Sequence, residues 1–456
     1  MVRIRPIRRS NRNTMASVET KRFLCIDLKS FYASVECVDR GLDPLTTDLV
    51  VADASRTNKT ICLAVSPSLK AKGVRNRCRV FEIPSHLQYI MAPPRMARYI
   101  EVSAKIYEVY LRWASKDDIH VYSIDEAFID VGPYLRLYGM SSRELGEAIR
   151  ADVVASTGIP ATCGLGSNLY LAKVALDITA KHSPDFFGEL DEYTYREELW
   201  SHMPITDFWR VGPGIARRLA KMGIHTMGQL AIAPTEPIFD ELGVDAEILL
   251  DHAWGIEPVQ MSHIKAYRPQ THCLATAQVL SRDYSFEEAR VVAWEMADSL
   301  ALQLVQKGKA AESVGLSVGY GLTAEERLAR RNAEGAWWRD WPSDGGSHRF
   351  VTSTNSRREV VEGAMRVFDE RVARDRPVHR LSVTLDGVVD EDASGVQLDL
   401  FADPEALARE HRRQIAVNAV KEKFGKNSLL RVTDLLPEAT ARERNMQIGG
   451  HKSGDA

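Results

Sequence analysis

The 456-residue chain lacks the sequence features of several classes of protein. No apolar run is long enough to span a bilayer, and the basic stretch 1–22 has no apolar segment like that of a secretory signal. The six cysteines are scattered, without a CxxC pair or a Cys/His cluster at zinc spacing, which indicates reduced, buried thiols. We therefore expect a cytoplasmic protein without membrane contact and with a disordered leader at 1–22. The sequence leaves open whether translation starts at Met1 or Met15.

The chain also lacks a large net charge, which is -3 at pH 7, so composition gives no global sign of a nucleic-acid partner. The charges are unevenly distributed, because nine Lys and Arg residues stand against three acidic residues from Asp53 to Glu101, a local net charge of +6. A solvated surface and a nucleic-acid contact both remain open for this stretch. The hydrophobic share of 45% is ordinary for a globular protein, and the length suits three or four modules.

Hydrophobic periodicity divides the chain into regions of different secondary structure. Up to about residue 185, short apolar strands alternate with helical stretches, which predicts a mixed α/β region. The stretch 193–254 has helical spacing throughout and predicts a small all-helical module, and the polar stretch 263–270 predicts a linker. A near-repeat over 274–389 predicts a β-α-β-β-α-β unit, in which an antiparallel sheet is backed by two helices.

Three acidic residues occur where separate strands of one sheet would bring them together. Asp27 follows the short apolar strand 23–26, and Asp125 and Glu126 lie at the predicted turn of the β-rich stretch 120–131. Carboxylates and a backbone carbonyl suit Mg²⁺ or Mn²⁺, and two such ions about 3.5 to 4 Å apart catalyse nucleotide transfer. An acidic pair in a turn is nevertheless common, so this observation alone leaves a purely structural role open.

The sequence around these acids resembles a known family. DLKSFYASVE at 27–36, followed about ninety residues later by YSIDEAF at 122–128, resembles the two metal-binding motifs of the Y-family (DinB/UmuC) DNA polymerases. The match is closer to the UmuC-type branch, that of the DNA polymerase V catalytic subunit, than to the DinB branch. It extends in order from about residue 23 to 401. The resemblance implies a right-hand polymerase that adds deoxynucleotides to a primer 3'-hydroxyl, in error-prone lesion bypass without proofreading.

The resemblance assigns the metal site residue by residue. The metal ligands fall on Asp27, Asp125 and Glu126, with the carbonyl of Leu28 as a backbone ligand. The same three acids are then the catalytic residues. The implied cofactor is a pair of Mg²⁺ ions, for which Mn²⁺ is a substitute.

The resemblance also implies contacts with the incoming nucleotide. The steric gate, an aromatic side chain that excludes a ribose 2'-hydroxyl, falls on Tyr32. For Phe31 we favour a core position and keep it as the next candidate for the gate. The triphosphate lysines fall on Lys70 and Lys181.

Two departures from the family pattern affect the triphosphate site. Pro67 occupies the position where DinB-type relatives carry a phosphate-binding tyrosine, so that hydroxyl is missing or comes from Ser66 or Ser68. The interval from the stretch 171–173 to Lys181 is one residue longer than the family pattern.

The sequence VGPGIA at 211–216 is a helix-hairpin-helix signature, in which glycines let a turn approach a DNA strand. About half of such matches are only tight turns. Here the motif follows a polymerase-like palm, so we interpret it as the grip of the thumb on the DNA backbone. The polar linker adds two candidate contacts. The predicted DNA-binding residues are Gly212, Gly214, Ile215, Lys265 and Arg268.

A short apolar peptide near the C-terminus resembles the segment by which bacterial polymerases dock on the sliding clamp (β clamp). Its residues are Gln397, Leu398, Asp399, Leu400 and Phe401. Exposed leucines and a phenylalanine after a flexible linker suit an apolar pocket on a partner, although packing on the chain's own domain is the alternative. The implied partners are primer-template DNA, deoxynucleoside triphosphates and the clamp, with a recombinase filament or accessory subunits left open.

The predicted fold class is a multi-domain α/β protein with an α+β palm, small fingers, an all-α thumb and a β-α-β-β-α-β little finger. The predicted domains are the leader (1–22), palm (23–30 and 89–185), fingers (31–88), thumb (186–258), linker (259–270), little finger (271–389) and C-terminal tail (390–456). Within the tail we expect a helix to about Phe424 and a flexible charged segment from Glu438. A non-catalytic adaptor and a palm-type nucleotidyl cyclase are the rival functions. Intact carboxylates disfavour the first, and the helix-hairpin-helix and clamp motifs disfavour the second.

Overall fold

The computed structural model describes residues 22–53, 55, 57–268, 272–331, 341–391 and 404–454. The chain divides into two compact units, of which the first ends at Tyr267 and the second begins at Arg268. The predicted leader lies outside the described residues except for Arg22. Across the described ranges, the helices are too short or too polar to cross a membrane.

The first unit contains the predicted palm, fingers and thumb. Its helices and strands are β1 (Phe23–Leu28), α1 (Phe31–Val38), β2 (Leu49–Val51), β3 (Ala64–Val65), α2 (Pro67–Ala71), β4 (Ile90–Ala92), α3 (Met96–Tyr110), β5 (Ile119–Val121), β6 (Glu126–Asp130), α4 (Leu135–Tyr138), α5 (Ser142–Thr157), β7 (Ala161–Gly166), α6 (Leu169–Val174), β8 (Phe187–Leu190), α7 (Glu192–Leu199), α8 (Pro213–Lys221), α9 (Met227–Ile232), α10 (Thr235–Leu242), α11 (Asp245–Ala253) and α12 (Met261–Ala266). Helices α7 to α11 form the predicted all-helical thumb.

The palm is built on a five-stranded sheet with the order β5-β6-β1-β7-β8. The central strand β1 is almost wholly buried, and its side chains alternate between the two faces. Phe23 and Cys25 pack with Leu169 and Ala172 of α6, whereas Leu24 faces α5 on the other side. The predicted hairpin is present, because β5 and β6 pair in antiparallel fashion.

The fingers contain a three-stranded sheet with the order β3-β2-β4. Strand β4 pairs in parallel with β2, with Leu49 opposite Ile90. The boundary that we expected at residue 89 therefore cuts this sheet, since residues 90–92 belong to it.

The predicted linker 259–270 is wrong in part, because it contains helix α12. Met261 at the start of α12 is buried against Phe23 and Phe128 of the palm sheet. Ile264 of the same helix also packs against this cluster, so the two apolar residues tie an otherwise polar segment to the palm.

The second unit contains the predicted little finger and the C-terminal segment. Its helices and strands are β9 (Cys273–Tyr284), α13 (Phe286–Gln306), β10 (Lys309–Tyr320), α14 (Ala324–Arg331), β11 (Ser343–Thr354), α15 (Arg357–Arg371), β12 (Val378–Asp386), β13 (Val389–Asp390), α16 (Pro404–Phe424), α17 (Ala441–Asn445), β14 (Gln447–Ile448) and β15 (His451–Lys452). Strands β11-β10-β12-β9 form an antiparallel sheet, which confirms the β-α-β-β-α-β prediction. Ser285 and Ser356 cap the two helices, as expected.

The expectation of a flexible segment from Glu438 is wrong for residues up to 454. Helix α17 lies in this segment, and the backbone N–H of Thr440 donates to Glu295 of α13 at 3.1 Å. Arg444 of α17 lies 3.7 Å from the same buried carboxylate. A buried glutamate 145 positions away in the sequence therefore anchors the segment.

Candidate active site

Strand pairing brings the three predicted metal ligands to one end of the palm sheet. Asp27 of β1 stands opposite Glu126 of β6 in the antiparallel register. The Leu28 N–H donates to the carbonyl oxygen of Asp125 at 2.9 Å. Burial of the apolar part of β1 fixes this register and delivers Asp27 to the end of the strand. The acids thus lie together as the sequence predicts, and their role as ligands stays a prediction.

The electrostatic environment of Asp27 reflects this crowding of negative charge. Burial raises the pKa of Asp27 to about 6, and the neighbouring carboxylates of Asp125 and Glu126 add to the effect against the opposing charge of Lys181. A cation placed among these carboxylates would relieve their repulsion.

Each of the other two carboxylates has a partner within the protein. Lys173 Nζ lies 2.8 Å from Glu126 Oε2, and Cys25 Sγ donates to Glu126 Oε1 at 3.2 Å. Asp125 accepts a hydrogen bond from Ser123 Oγ at 2.6 Å. Among the described residues, no three His, Cys, Asp or Glu side chains form a group ready to hold a metal ion. Glu126 and Asp125 instead face donors within the protein.

Two lysines reach the acids from the helix that begins at Leu169. Lys173 Nζ lies 2.9 Å from Asp177 Oδ2, and Lys181 Nζ lies 2.7 Å from Asp177 Oδ1 and 3.7 Å from Asp27 Oδ2. Asp177 therefore holds both ammonium groups. Burial lowers the pKa of Lys173, but its acidic neighbours raise it more, so its pKa lies above the ordinary value and the amine stays protonated.

The extra residue before Lys181 is taken up by a π-helical turn at Ala175–Thr179. In an uninterrupted α-helix, one additional residue would rotate all later side chains by about 100°. A π turn absorbs one residue within the helix and keeps the later side chains on the same face. Lys181 consequently reaches Asp27 although its spacing differs from the family pattern.

Sequence reasoning missed Lys173 and Asp177. Lys173, Asp177 and Lys181 are spaced four residues apart, the interval at which helical side chains meet. That spacing was the signal in the sequence that could have identified these residues. A lysine on a helix is usually solvated, however, and only the fold shows that this face of the helix is turned to the acids.

Two glycines let this helix approach the sheet closely. A Cβ on Gly164 of β7 would lie 2.2 Å from the Ala172 carbonyl oxygen, and one on Gly188 of β8 would lie 2.5 Å from that of Ala175. Gly164 and Gly188 are register partners on adjacent strands. The close approach brings Lys173 and Lys181 within reach of the strand-end carboxylates.

The predicted nucleotide contacts lie on the fingers side of the acids. Phe31 is buried, as expected, and Tyr32 is half-buried with its ring stacked on Tyr99 at a centroid distance of 4.6 Å. Lys70 Nζ donates to Ser30 Oγ at 2.9 Å, which places this lysine beside the loop after β1. Their contacts with a nucleotide stay predictions.

The hydroxyls considered as substitutes at Pro67 have structural partners. Ser66 is fully buried and accepts hydrogen bonds from the backbone N–H groups of Leu49 and Leu69, so it caps helix α2. Ser68 donates to Asp48 at 2.6 Å. Helix capping thus explains why Ser66 does not stand in for the tyrosine.

The helix-hairpin-helix signature opens helix α8, with Gly212 at the N-cap. A Cβ on Gly212 or Gly214 would meet no protein atom within 4 Å, so these glycines face outwards. Ile215 lines a cavity of about 470 Å³ beside Trp209 and Tyr122. Sequence reasoning missed the contact between Trp209 and Tyr122. Trp209 Nε1 donates to the Tyr122 hydroxyl at 3.3 Å, and this hydrogen bond joins the thumb to the β5–β6 hairpin.

The remaining predicted contacts differ in their surroundings. Lys265 donates to the carbonyl oxygens of Lys116 and Ile119 at 2.7 and 2.6 Å, which joins α12 to the palm. Arg268 lies exposed just beyond α12. The predicted clamp peptide, 397–401, lies outside the described residues.

Comparison with known proteins supports the resemblance. Residues 26–177 match the impB/mucB/samB family, and residues 274–400 match the C-terminal domain of that family. The chain is 31% identical over 441 residues to the "Putative UV-damage repair protein UvrX" of Bacillus subtilis (strain 168), which covers 95% of this chain and 98% of that protein. It is 30% identical over 440 residues to "DNA polymerase IV 2" of Halalkalibacterium halodurans, with 94% and 99% covered.

A solved structure shows the same fold. The chimera "Y-family DNA polymerase chimera Dbh-Dpo4(243-245)-Dbh" aligns with a TM-score of 0.59 at 19% identity. The alignment covers 81% of this chain and 99% of the chimera. The right-hand architecture predicted from the sequence is thereby confirmed.

Proposed function

Because this chain belongs to the impB/mucB/samB family of Y-family DNA polymerases, we propose that its palm acids, lysines and fingers aromatics form the site of nucleotide addition. The chain is a DNA-directed DNA polymerase of the error-prone, lesion-bypass type. Its relatives include a UV-damage repair protein and DNA polymerase IV proteins, so assignment to the UmuC-type branch stays a prediction. The observation that carries the proposed site is the opposition of Asp27 and Glu126, with Asp125 adjacent.

The family depends on divalent metal ions, and the donors at this end of the sheet fit such ions. The carboxylates of Asp27, Asp125 and Glu126 and the carbonyl of Leu28 are oxygen ligands of the kind that Mg²⁺ prefers. We propose two Mg²⁺ ions, with Mn²⁺ as a substitute. When bound, they activate the primer hydroxyl and neutralise charge on the phosphates.

The chain's own cations complete the phosphate site. Lys181 and Lys70 flank the acids from the helix and the fingers, where each meets different oxygens of a deoxynucleoside triphosphate. Asp177 orients Lys181 through a 2.7 Å contact, and Lys173 stabilises Glu126. Tyr32 lies half-exposed beside them and excludes a ribose 2'-hydroxyl by its bulk.

Primer-template DNA is the second substrate of this polymerase. The outward-facing glycines at the start of α8 support a thumb contact with the DNA backbone, since they leave room for a strand to approach the helix N-terminus. We place the protein in the cytoplasm, on the nucleoid, because that is where its template lies.

Synthesis by the purified chain tests the function. Extension of a primer with Mg²⁺ should occur on an undamaged template and continue past an abasic site or a thymine dimer, and EDTA should stop both. The adaptor alternative predicts DNA binding without extension. If the chain binds the DNA but adds no nucleotide to the primer, under conditions where a known polymerase extends the same primer, the adaptor alternative is favoured.

We also propose that the peptide 397–401 docks on the sliding clamp. Burying a leucine or phenylalanine contributes roughly 1.5 to 3 kcal/mol, so Leu400→Ala with Phe401→Ala should weaken docking by about two to four powers of ten. Single-nucleotide insertion should stay intact, while product length on primed DNA with loaded clamp should fall to the clamp-free value. Equal stimulation of wild type and double variant would exclude clamp docking through this peptide.

A further inference from the structure

The side chain beneath the proposed sugar gate is itself firmly held. Tyr99 on α3 has no exposed surface, and its ring stacks on that of Tyr32 with an interplanar angle of 23°. Tyr32 lies on α1 of the fingers, and Phe31 contacts its ring from the side at a centroid distance of 5.7 Å. One face of the gate thus rests on a residue of the palm.

A buried glutamate anchors Tyr99 from the other end. The Tyr99 hydroxyl donates to Glu36 Oε1 at 2.8 Å, and Arg95 Nε donates to the same oxygen at 2.8 Å. Arg40 binds Glu36 Oε2. The Glu36 side chain has no exposed surface, so these partners hold it in a region shielded from water, where such bonds are strong.

We propose that Tyr99 is a specificity-determining residue, which acts through Tyr32 by preventing its ring from moving when a ribonucleotide enters. This proposal rests on the assignment of Tyr32 as the gate. A gate excludes a 2'-hydroxyl by steric repulsion, and repulsion discriminates only if the ring cannot retreat. The stacked Tyr99 ring blocks that retreat, and its bond to Glu36 keeps it in place.

The test measures kcat/KM for one deoxynucleotide and for its ribonucleotide. Tyr99→Met fills most of the space with a flexible side chain, and Tyr99→Leu leaves it partly empty. Each should lower the deoxy-to-ribo ratio about tenfold, as expected from the loss of one stacked aromatic pair. Tyr99→Phe keeps the ring, while Glu36 keeps Arg95 and Arg40, so its ratio should stay within about threefold of wild type.

The double variant separates specificity from general damage. If Tyr99 acts only through Tyr32, adding Tyr99→Leu to Tyr32→Ala should not lower the ratio further. An unchanged ratio in a folded Tyr99 variant would overturn the proposal, even if kcat/KM falls, because it would then fall equally for both nucleotides. Circular dichroism and Tm identify which variants are folded. If only one of Tyr99→Met and Tyr99→Leu folds, that variant alone is enough for the ratio measurement.

Failure of the gate itself gives a different result. If Tyr32→Ala leaves the ratio unchanged, the gate assignment fails, and the role of Tyr99 fails with it. If Tyr32→Ala lowers the ratio and the folded Tyr99 variants do not, only the proposal for Tyr99 is overturned.

Discussion

Two buried carboxylates of the first unit, Glu126 and Glu36, are paired in different ways. Glu126 at the candidate metal site is bound by Lys173, and 10% of its side chain is exposed. Glu36 at the junction of fingers and palm is bound by Arg40 and Arg95, and its side chain has no exposed surface. Arginine presents a rigid fork of donors, whereas lysine is a single charge on a flexible stem. We therefore expect the arginine-bound acid to hold the structure together, and we propose that the lysine-bound acid exchanges its partner for a metal ion.

The second unit repeats the structural arrangement. Glu295 has no exposed side-chain surface and is bound by Thr440 and Arg444. Burial raises the pKa of Glu295, an effect that Arg444 and the Thr440 backbone N–H oppose. Both donors meet Glu295 Oε2 and fix the segment in place, as Glu36 fixes α1 against α3.

The largest expected effect comes from removing the lysine-bound acid. Glu126→Ala should reduce primer extension by about a thousandfold or more, because a metal ligand is lost, while DNA binding stays nearly unchanged. Single-turnover extension and a DNA-binding titration measure these quantities. Glu101→Ala, which removes an exposed carboxylate paired with Lys105, is the matched control and should extend normally. Near-normal extension by Glu126→Ala would remove Glu126 from the metal site.

Removing the arginine-bound acid should give the opposite pattern. Glu36→Ala removes the acceptor shared by Arg95, Arg40 and the buried Tyr99 hydroxyl, which should lower the free energy of unfolding by about 3 kcal/mol. The estimate lies at the lower end of the range for buried pairs because both arginines are about one-third exposed. Urea denaturation measures the loss, and Glu101→Ala should leave the urea midpoint nearly unchanged, because an exposed ion pair contributes little. A small loss for Glu36→Ala would contradict its structural role.

A moderate effect should come from exchanging the type of cation. Lys173→Arg should hold Glu126 more firmly through two donors and so raise the Mg²⁺ concentration for half-maximal extension by about three- to tenfold. Saturating Mg²⁺ should restore much of the rate. Lys105→Arg, at an exposed pair with Glu101, is the control. If a folded Lys173→Arg variant has an unchanged Mg²⁺ requirement, the lysine does not yield to the metal as we propose.

The sequence predicted the elements better than their contacts. Alternating and helical periodicities were enough to predict the strands and helices of the β5–β6 hairpin, the thumb and the little finger, because the periodicity of an element depends only on its own residues. Helix α12 was missed because only two apolar residues, Met261 and Ile264, anchor an otherwise polar segment. The packing of the C-terminal segment was missed because its anchor, Glu295, is 145 residues from Thr440. Asp177 was missed because only the sheet shows which face of its helix is turned to the acids.

The smallest expected effect concerns the π turn that sets Lys181 over Asp27. Deletion of Thr179 removes one residue from Ala175–Thr179, and the turn should relax to a regular α-helix. Lys181 would then stand at the family's spacing from Lys173 and face the same way, so the KM for the nucleotide should change by less than about threefold. Lys181→Ala in the same assay gives the KM expected from losing the lysine.

A deletion in a helix without a π turn is the control for this prediction. Helix α5 has no such turn, so removal of the exposed Glu147 should rotate Leu145 and Ile149 apart by about 100° and lower Tm markedly. If the Thr179 deletion folds but raises KM as far as Lys181→Ala does, the π turn is not what absorbs the extra residue. If it lowers Tm as much as the Glu147 deletion does, the turn is required by the packing against Gly188. A Thr179 deletion that folds and stays active would show that the lysine-bound acids tolerate a shift in the position of their lysines. We do not expect Glu36 to tolerate a comparable shift of its arginines.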